Sequence, residues 1–470
     1  MKKTLTIIDR LRRTAAMVAA LVLGGGVILP AHALPVFNRQ TGQNCVACHA
    51  GGQFPELTPY GRLFKMTGYT IGERTLPFAA MGIVSDAKVG NTSKSDDPSA
   101  DFQKNNSLIF ATGSVFAAGK ITDNLGAFLQ VTYDNYASQS DDGHWHGHTG
   151  ADNMDIRYAD RVIDPDSDII WGVSANNNPS VTDPWNSAAA WMQYVPVPSP
   201  TSYQFIDGNA PYPGLAAGGN IAGLTAYLYW NQLIYAEVGG YRSATGIASF
   251  MSAGVAKADK TKLQGTNPYW RVALNKEWGP HSIMFGTSGM VADIYDDPLD
   301  TSDPTTVHHF RDAGIDAQYQ YLLDPHSVTV QAAYTHDDHR YPGFIANQPV
   351  VDVDGNPLPN TNTHDKTNVF RTKASYIYNA HYGASLSWFN QTGTTNSLLY
   401  DPTRVTGNIS GNPAIRGFTP EVFWTPMQYL RIGLQYTIYD KYNGASHNYD
   451  GAGRNASDNN TLFLYLWGAY

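Results

Sequence analysis

The chain has 470 residues, a net charge of −9, and only 15% charged residues alongside 44 Gly and 29 Tyr. The acidic balance argues against a nucleic-acid partner. Beyond the first 33 residues, no stretch approaches the roughly 18 consecutive apolar residues that a membrane-spanning helix needs, so the sequence excludes a helical membrane protein. Low charge with abundant Tyr and Gly is instead typical of an outer-membrane β-barrel, whose lipid-facing side chains alternate along its strands.

Residues 1–33 have the pattern of a signal peptide. A basic start is followed by an apolar run over residues 15–29 and by a small-x-small cleavage site at Ala31-His32-Ala33. We therefore expect an exported protein whose mature chain starts at Leu34.

The next feature is the motif Cys45-x-x-Cys48-His49, which contains the only two cysteines of the chain. This spacing suits covalent attachment of haem, because each thiol forms a thioether and the histidine binds the iron from one face. The alternatives are a chance pattern or a disulfide, which would leave His49 unexplained. The sequence predicts one covalently bound c-type haem with His49 as the proximal ligand of the haem iron.

Residues 34–75 are expected to form a small monohaem cytochrome c plug around this motif. Met66 is a candidate distal ligand and Met81 an alternative, although either methionine could serve only for packing and the iron could be five-coordinate. Four aromatic residues are candidates to pack on the porphyrin: Phe37, Phe54, Tyr60 and Phe64. Three basic residues could pair with the haem propionates or simply be solvated: Arg39, Arg62 and Lys65.

Residues 76–470 show runs of about ten residues with period-two alternation, separated by turn residues. Short and long connections alternate along this part of the chain. The short connections are predicted at 119–124, 164–168, 231–232, 279–281, 324–326, 379–381 and 425–426. The long polar stretches are 91–105, 137–152, 176–220, 243–267, 293–308, 337–365, 391–413 and 442–459. This layout predicts an all-β fold, a transmembrane outer-membrane barrel of about 16 strands.

The last segment fits a closed barrel. Leu462, Leu464 and Leu466 alternate toward Tyr470, the final residue. Because an open strand edge in lipid is prohibitive, we expect this last strand to pair with the first.

The long loops are predicted to hold most of the histidines. Nine of the 14 lie in these stretches or at their edges: His144, His146, His148, His308, His309, His336, His339, His364 and His447. The favoured interpretation is polar, solvated loops, and the alternative is a weak metal-collecting surface. The stretch 176–220 is long enough to fold inward and narrow the pore.

Several segments resemble the fused outer-membrane monohaem cytochrome c–porin family of iron-oxidising bacteria. They are residues 35–42, the haem motif, residues 54–65, Gly68-Tyr69, and residues 434–436, 442–444 and 456–462. The resemblance implies an Fe(II)-oxidising cytochrome, with one c-type haem plugged into a porin of about 16 strands. It also implies electron transfer from extracellular Fe(II) to periplasmic cytochromes. One haem is smaller than the apolar band of about 25 Å, so it has to sit within the lumen to connect the two sides, and we expect the plug to enter from the periplasmic side.

Two functions from different classes remain open at this point. The first is an electron-transfer conduit, which needs a sealed lumen and a haem that lies near the outer opening or is bridged to it by aromatic residues. The second is a porin whose haem plug gates or senses without iron oxidation, which needs open conductance and a charged constriction. A weaker third option is a conduit that passes electrons outward.

Overall fold

The computed structural model describes residues 35–52, 56–91, 107–140, 144–186, 220–254, 262–341, 362–397 and 408–470. The predicted signal peptide, Leu34 and Phe54 lie outside the described residues.

Sixteen antiparallel strands close into one barrel, which confirms the predicted all-β barrel fold. The strands are β1 Phe78–Val89, β2 Leu108–Lys120, β3 Leu125–Gln139, β4 Trp145–Ile163, β5 Asp168–Asn176, β6 Ile221–Trp230, β7 Ile234–Ser243, β8 Asn267–Trp278, β9 His281–Ile294, β10 His308–Leu323, β11 His326–Arg340, β12 His364–Tyr378, β13 Tyr382–Gly393, β14 Ile415–Met427, β15 Leu430–Lys441 and β16 Thr461–Ala469. Each strand pairs with its neighbours in sequence, and β1 pairs with β16. Ala80 and Tyr470 exchange two backbone hydrogen bonds of 2.8 Å at this seam.

Two predicted boundaries were wrong. The stretch 137–152 is not a long loop, because β3 continues to Gln139 and β4 starts at Trp145, with an irregular register after Asp134. Its residues are polar and therefore lack the apolar alternation that marks a strand. The turn predicted at 425–426 lies instead after Met427, because Pro426 is accommodated at a register irregularity of β14.

The strands alternate between an apolar outer face and a polar inner face. Along β8, Trp270, Val272 and Leu274 are exposed, whereas Arg271 and Asn275, on the opposite face of the strand, are almost fully buried. An outward apolar band around a polar interior is the arrangement of a transmembrane barrel. We call the inward-facing side chains of the strands the inner wall.

Short helices precede β1. They are α1 Pro35–Thr41, α2 Cys45–Cys48 and α3 Pro59–Met66, with a 3-10 turn at Ala50–Gly52. A fourth helix, α4 Pro179–Thr182, follows β5, and further 3-10 turns lie at Gly246–Met251, Pro304–Thr306 and Ala456–Asn459. None of the described helices is both long enough and apolar enough to cross a membrane. We refer to residues 35–52 and 56–72 together as the N-terminal unit.

Candidate haem site in the N-terminal unit

Helix α2 places the two cysteines of the haem motif one turn apart. Cys45 and Cys48 are three residues apart in the helix, a spacing that puts both on the same face. They do not form a disulfide with each other. His49 follows directly, and its backbone N–H donates to the Cys45 carbonyl at 2.8 Å. Two thiols and an imidazole are thus held together within one short segment.

Helix α3 packs directly on this motif at Gly61. A Cβ atom at position 61 would lie 2.1 Å from the carbonyl oxygen of Cys48, so only glycine allows this approach. Thr58 caps α3 by accepting a hydrogen bond from the Gly61 N–H at 3.1 Å. The Thr58 backbone N–H donates to the Cys48 carbonyl at 2.9 Å. Helix and motif therefore form one packed substructure.

Burial controls the ionisation of the motif. It lowers the pKa of His49 to about 3, with the Lys65 charge acting in the same direction. Burial also raises the pKa of the Cys48 thiol to about 11. In the chain without haem, the imidazole and this thiol are therefore both uncharged near neutral pH.

The motif lies at the short-turn end of the barrel. Gln428, in the turn between β14 and β15, accepts through Oε1 from the Cys45 backbone N–H at 3.4 Å. Gly51 is in close contact with Ile377, next to the turn between β12 and β13. Val46, inside the motif, is 46% exposed. One edge of the motif therefore reaches the surface at this end.

Arg62 joins α3 to three strands of the inner wall. Its guanidinium pairs with Glu277 of β8 at 2.9 Å and donates to Ser282 of β9 at 2.8 Å and Gln320 of β10 at 2.9 Å. Arg62 is 1% exposed, so its solvated alternative is wrong. The described partners of Arg62 are groups of the protein itself. Its contact with a haem propionate therefore stays a prediction.

The other two basic residues also find partners within the protein. Lys65 is buried and donates to the Asp183 carbonyl at 2.8 Å, so it is not simply solvated either. Burial, with Arg157 adding to it, lowers the pKa of Lys65 to about 8. Arg39 donates to the carbonyl of Phe78 at the start of β1, at 2.5 Å.

Tyr69 makes a buried contact that its position in the sequence does not predict. Its hydroxyl donates to Asp155 of β4 at 2.6 Å, and the same carboxylate pairs with Arg157 at 2.8 Å. Arg157 lies over the Tyr69 ring, 5.7 Å from its centroid. The partners are 86 residues apart in the sequence, so no local pattern could reveal them.

Aromatic packing fixes the N-terminal unit on β2 and β3. Phe37 stacks on Tyr69 with ring centroids 5.6 Å apart and meets Phe64 edge-on at 4.9 Å. Phe128 of β3 lies 6.2 Å from Phe37. Phe37 and Phe64 were predicted to pack on a porphyrin, and here they pack on each other and on the wall. Burial raises the pKa of Tyr60, and the negative charge of Cys48, once its thiol is ionised, acts in the same direction.

The two candidate distal methionines have different surroundings. Met66 is 1% exposed and belongs to an apolar cluster with Trp185, Tyr227 and Tyr235 of the barrel. Met81 lies on β1, and its sulfur accepts a hydrogen bond from the Trp467 indole at 3.4 Å. Met66 is on helix α3, which packs against the haem motif, whereas Met81 is on strand β1 of the barrel. The distal ligand stays a prediction.

The donor set fits a c-type haem. Two thiols on one helical face and an adjacent uncharged imidazole are the groups that covalent attachment and axial ligation need. Gly61 lets helix α3 pack directly against the Cys48 carbonyl. Cys45 and Cys48 would hold the porphyrin, and His49 would bind its iron.

The segment that follows β5 also enters the barrel. Asp183 pairs with Arg271 of β8 at 3.1 Å, and the Trp185 carbonyl accepts from Gln318 of β10 at 3.1 Å. The first part of the stretch 176–220 therefore does fold inward, as predicted. Residues 187–219 lie outside the described residues.

Seven of the nine histidines lie in strands, and two of these seven are buried. The seven are His146, His148, His308, His309, His336, His339 and His364. His308 begins β10 and His339 lies near the end of β11, and both are less than 10% exposed. The prediction was wrong for these two because strand pairing extends further than the polar sequence indicates. His309 and His364 are exposed, each paired with an aspartate, Asp293 and Asp338 respectively.

No protein-family model and no curated protein matches this chain. Among solved structures, the chain is similar to the outer-membrane channel DcaP of Acinetobacter baumannii, with 12% identity and a TM-score of 0.43 over 84% of this chain and 96% of that one. It is also similar to OmpF of Salmonella typhi, solved in complex with daunomycin, with 10% identity and a TM-score of 0.43 over 84% and 97%. A third is an anion-selective porin from Comamonas acidovorans, with 10% identity and a TM-score of 0.41 over 84% and 98%. The closed barrel of the present chain rests on its own strand pairing.

Proposed function

We propose that this protein is an outer-membrane electron conduit with a single c-type haem at Cys45, Cys48 and His49. In this proposal, it oxidises Fe(II) outside the cell and delivers the electrons to a periplasmic cytochrome. The observation that carries the proposal is the set of contacts that join the N-terminal unit to many strands of the inner wall.

Those contacts extend around most of the barrel. Phe37 and Tyr69 meet β3 and β4, and Arg62 meets β8, β9 and β10. Further round, Glu56 pairs with Lys373 of β12 at 2.8 Å, and Cys45 meets the turn between β14 and β15. A unit fixed at so many points favours a lumen that is sealed at the short-turn end, which a conduit needs and an open porin does not.

The position of the unit supports a periplasmic partner. In outer-membrane barrels, the short turns face the periplasm and the long loops face outward. The motif contacts the short turns, and Val46 exposes one of its edges there. A soluble electron acceptor in the periplasm would therefore have direct access to this end of the site.

The proposed reaction requires little chemistry from the residues of the chain themselves. Each Fe(II) that becomes Fe(III) releases one electron, which the periplasmic acceptor takes up. A c-type haem bound in the unit would supply the one-electron redox centre between the two. The residues of the chain bind it, bury it and fix its axial ligand. Because the unit lies at the short-turn end, Fe(II) has to approach through the lumen from the long-loop end.

Stopped-flow spectroscopy tests this function. The purified, oxidised protein is mixed anaerobically with Fe(II), and the visible spectrum is followed. We expect reduction of the haem, with a midpoint potential well above that of a low-potential cytochrome. A haem that stays oxidised under excess Fe(II) would exclude the iron-oxidising conduit.

A second candidate is a porin whose haem-bearing unit gates or senses. The observation that favours it is the polar inner wall of β11, β14 and β15, where Gln331, Thr419 and Thr437 face inward. A polar lining is suited to hydrophilic solutes. Conductance of the purified protein in a planar lipid bilayer separates the two functions. The conduit function predicts that the protein forms no conducting channel, and the porin function predicts stable open channels.

A further inference from the structure

We propose that Asp312, Asp337 and His339 bind a divalent first-row transition-metal ion inside the barrel. Asp312 lies on β10, and the other two lie on the neighbouring strand β11. Asp312 and Asp337 stand directly opposite each other in the register of these strands. The candidate ligand atoms of all three residues lie within 4.8 Å of one another.

All three side chains are removed from water. Asp312 is 4% exposed, Asp337 is 5% and His339 is 2%. Two carboxylates this close repel each other, and burial removes the water that would screen them. A divalent cation between them offsets both effects, and buried carboxylates commonly coordinate metals for this reason.

The distances suit coordination to one ion. His339 Nε2 and Asp312 Oδ1 are 3.1 Å apart. Two neighbouring ligands of an octahedral ion, each about 2.1 Å from it, are about 3 Å apart, and opposite ligands are about 4.2 Å apart. The observed separations therefore leave room for an ion among the three groups.

The imidazole is held in the orientation that a ligand needs. Its other ring nitrogen, Nδ1, is 3.2 Å from the hydroxyl of Tyr341. The Phe310 ring packs edge-on against it, with centroids 4.7 Å apart. When Nδ1–H donates to the Tyr341 oxygen, Nε2 keeps its lone pair and faces Asp312. A second hydrogen bond that fixes the tautomer is a regular feature of metal-bound histidines.

The donor set indicates the class of ion. Two carboxylates with one imidazole suit Mn(II), Fe(II) or Zn(II), whereas Cu(I) prefers sulfur and Ca(II) prefers six to eight oxygens, by general ligand preferences. Three protein ligands also leave coordination positions for water.

This metal site is separate from the haem site. Asp312 is eight residues before Gln320, the β10 contact of Arg62, which corresponds to about 26 Å along the strand. It lies toward the long loops, at the other end of the barrel from the N-terminal unit. The proposal therefore holds whether or not the barrel carries electrons.

Titration of the full-length, haem-loaded protein with Mn(II) tests the site, with free Mn(II) measured by its electron paramagnetic resonance signal. We expect one Mn(II) per chain. Asp337→Asn and His339→Gln should each weaken binding at least tenfold. The matched controls are Asp338→Asn and His364→Gln. Asp338 and His364 are also an aspartate and a histidine, 3.0 Å apart, but they lie on the outer face of β11 and β12. The controls should bind Mn(II) like the wild type.

Folding of each variant is checked by its heat-dependent migration on a denaturing gel. If Asp337→Asn does not fold, Tyr341→Phe is the milder variant, and loss of such a supporting hydrogen bond should weaken binding about tenfold. The proposal is overturned if wild-type protein binds no Mn(II). In that case, His339 and Asp312 would form only a hydrogen-bonded pair. It is equally overturned if the outer-face controls lose as much affinity as the inner-face variants.

Discussion

Arg62 of α3 and Glu277 of β8 form an ion pair of 2.9 Å that joins the N-terminal unit to the inner wall of the barrel. The arginine is almost fully buried, and Ser282 and Gln320 take further donor positions of its guanidinium. A buried arginine so fully bonded holds the unit in one orientation.

Arg62→Ala should release the N-terminal unit while leaving the barrel folded. Removing one partner of a buried pair costs of the order of 3 kcal/mol, and here that loss falls on docking of the unit. Limited proteolysis should show faster cleavage before β1, with heat-resistant migration of the barrel unchanged. The control is Arg74→Ala, because Arg74 is exposed and donates a hydrogen bond to the Ile121 carbonyl at the surface. Equal cleavage of the two variants would contradict the role of Arg62.

Gly126→Ala should displace the same unit from the other side. A Cβ atom at position 126 of β3 would lie 2.1 Å from the Gly68 carbonyl oxygen, so the backbone would have to shift. We expect increased bilayer conductance, because the contact between unit and wall opens. Gly468→Ala on β16 is the control, since its added Cβ would meet nothing closer than 3.9 Å. The same conductance in both variants would be evidence against this contact.

The double variant Cys45→Ala/Cys48→Ala should carry no covalent haem. Both thioethers need these thiols, and the chain has no other cysteine. Haem staining of a denaturing gel measures the attached haem, and heat-dependent migration checks the barrel. Staining that persists at the wild-type level would exclude attachment at this motif.

Met66→Leu and Met81→Leu distinguish the two candidate distal ligands. Leucine conserves volume, so each change should cost less than about 1.5 kcal/mol in stability. A methionine ligand raises the haem potential. We expect Met66→Leu to lower the midpoint potential and Met81→Leu to leave it unchanged, because Met66 lies on the helix that packs against the motif. The reverse pattern in redox titrations would assign Met81.

The barrel could be predicted from sequence because its strands repeat a local pattern. Period-two alternation and the alternation of short and long connections gave about 16 strands, and the strand pairing confirms them. The pattern failed between β3 and β4, where the strands continue through polar residues such as His146 and His148. Apolar alternation marks only the part of a strand that faces lipid, and strand pairing does not end there.

The contacts within the barrel were far less predictable. The motif at Cys45, Cys48 and His49 is visible because its spacing is local. Arg62 and Glu277 are 215 residues apart, so their pairing needs the strand register and the docking of α3. His339 is a second example. Its sequence position indicates a loop residue, and only the pairing of β10 with β11 brings Asp312 beside it.

Electron transfer across a membrane tests the central claim most directly. The purified protein is placed in liposomes that enclose a soluble cytochrome c, and Fe(II) is added outside under anaerobic conditions. We predict that the enclosed cytochrome is reduced, and that the Cys45→Ala/Cys48→Ala variant abolishes the reduction. As a control, a membrane-permeable mediator is added to show that the enclosed cytochrome can be reduced. If the cytochrome stays oxidised without the mediator but is reduced with it, the protein does not conduct electrons from Fe(II) across the membrane.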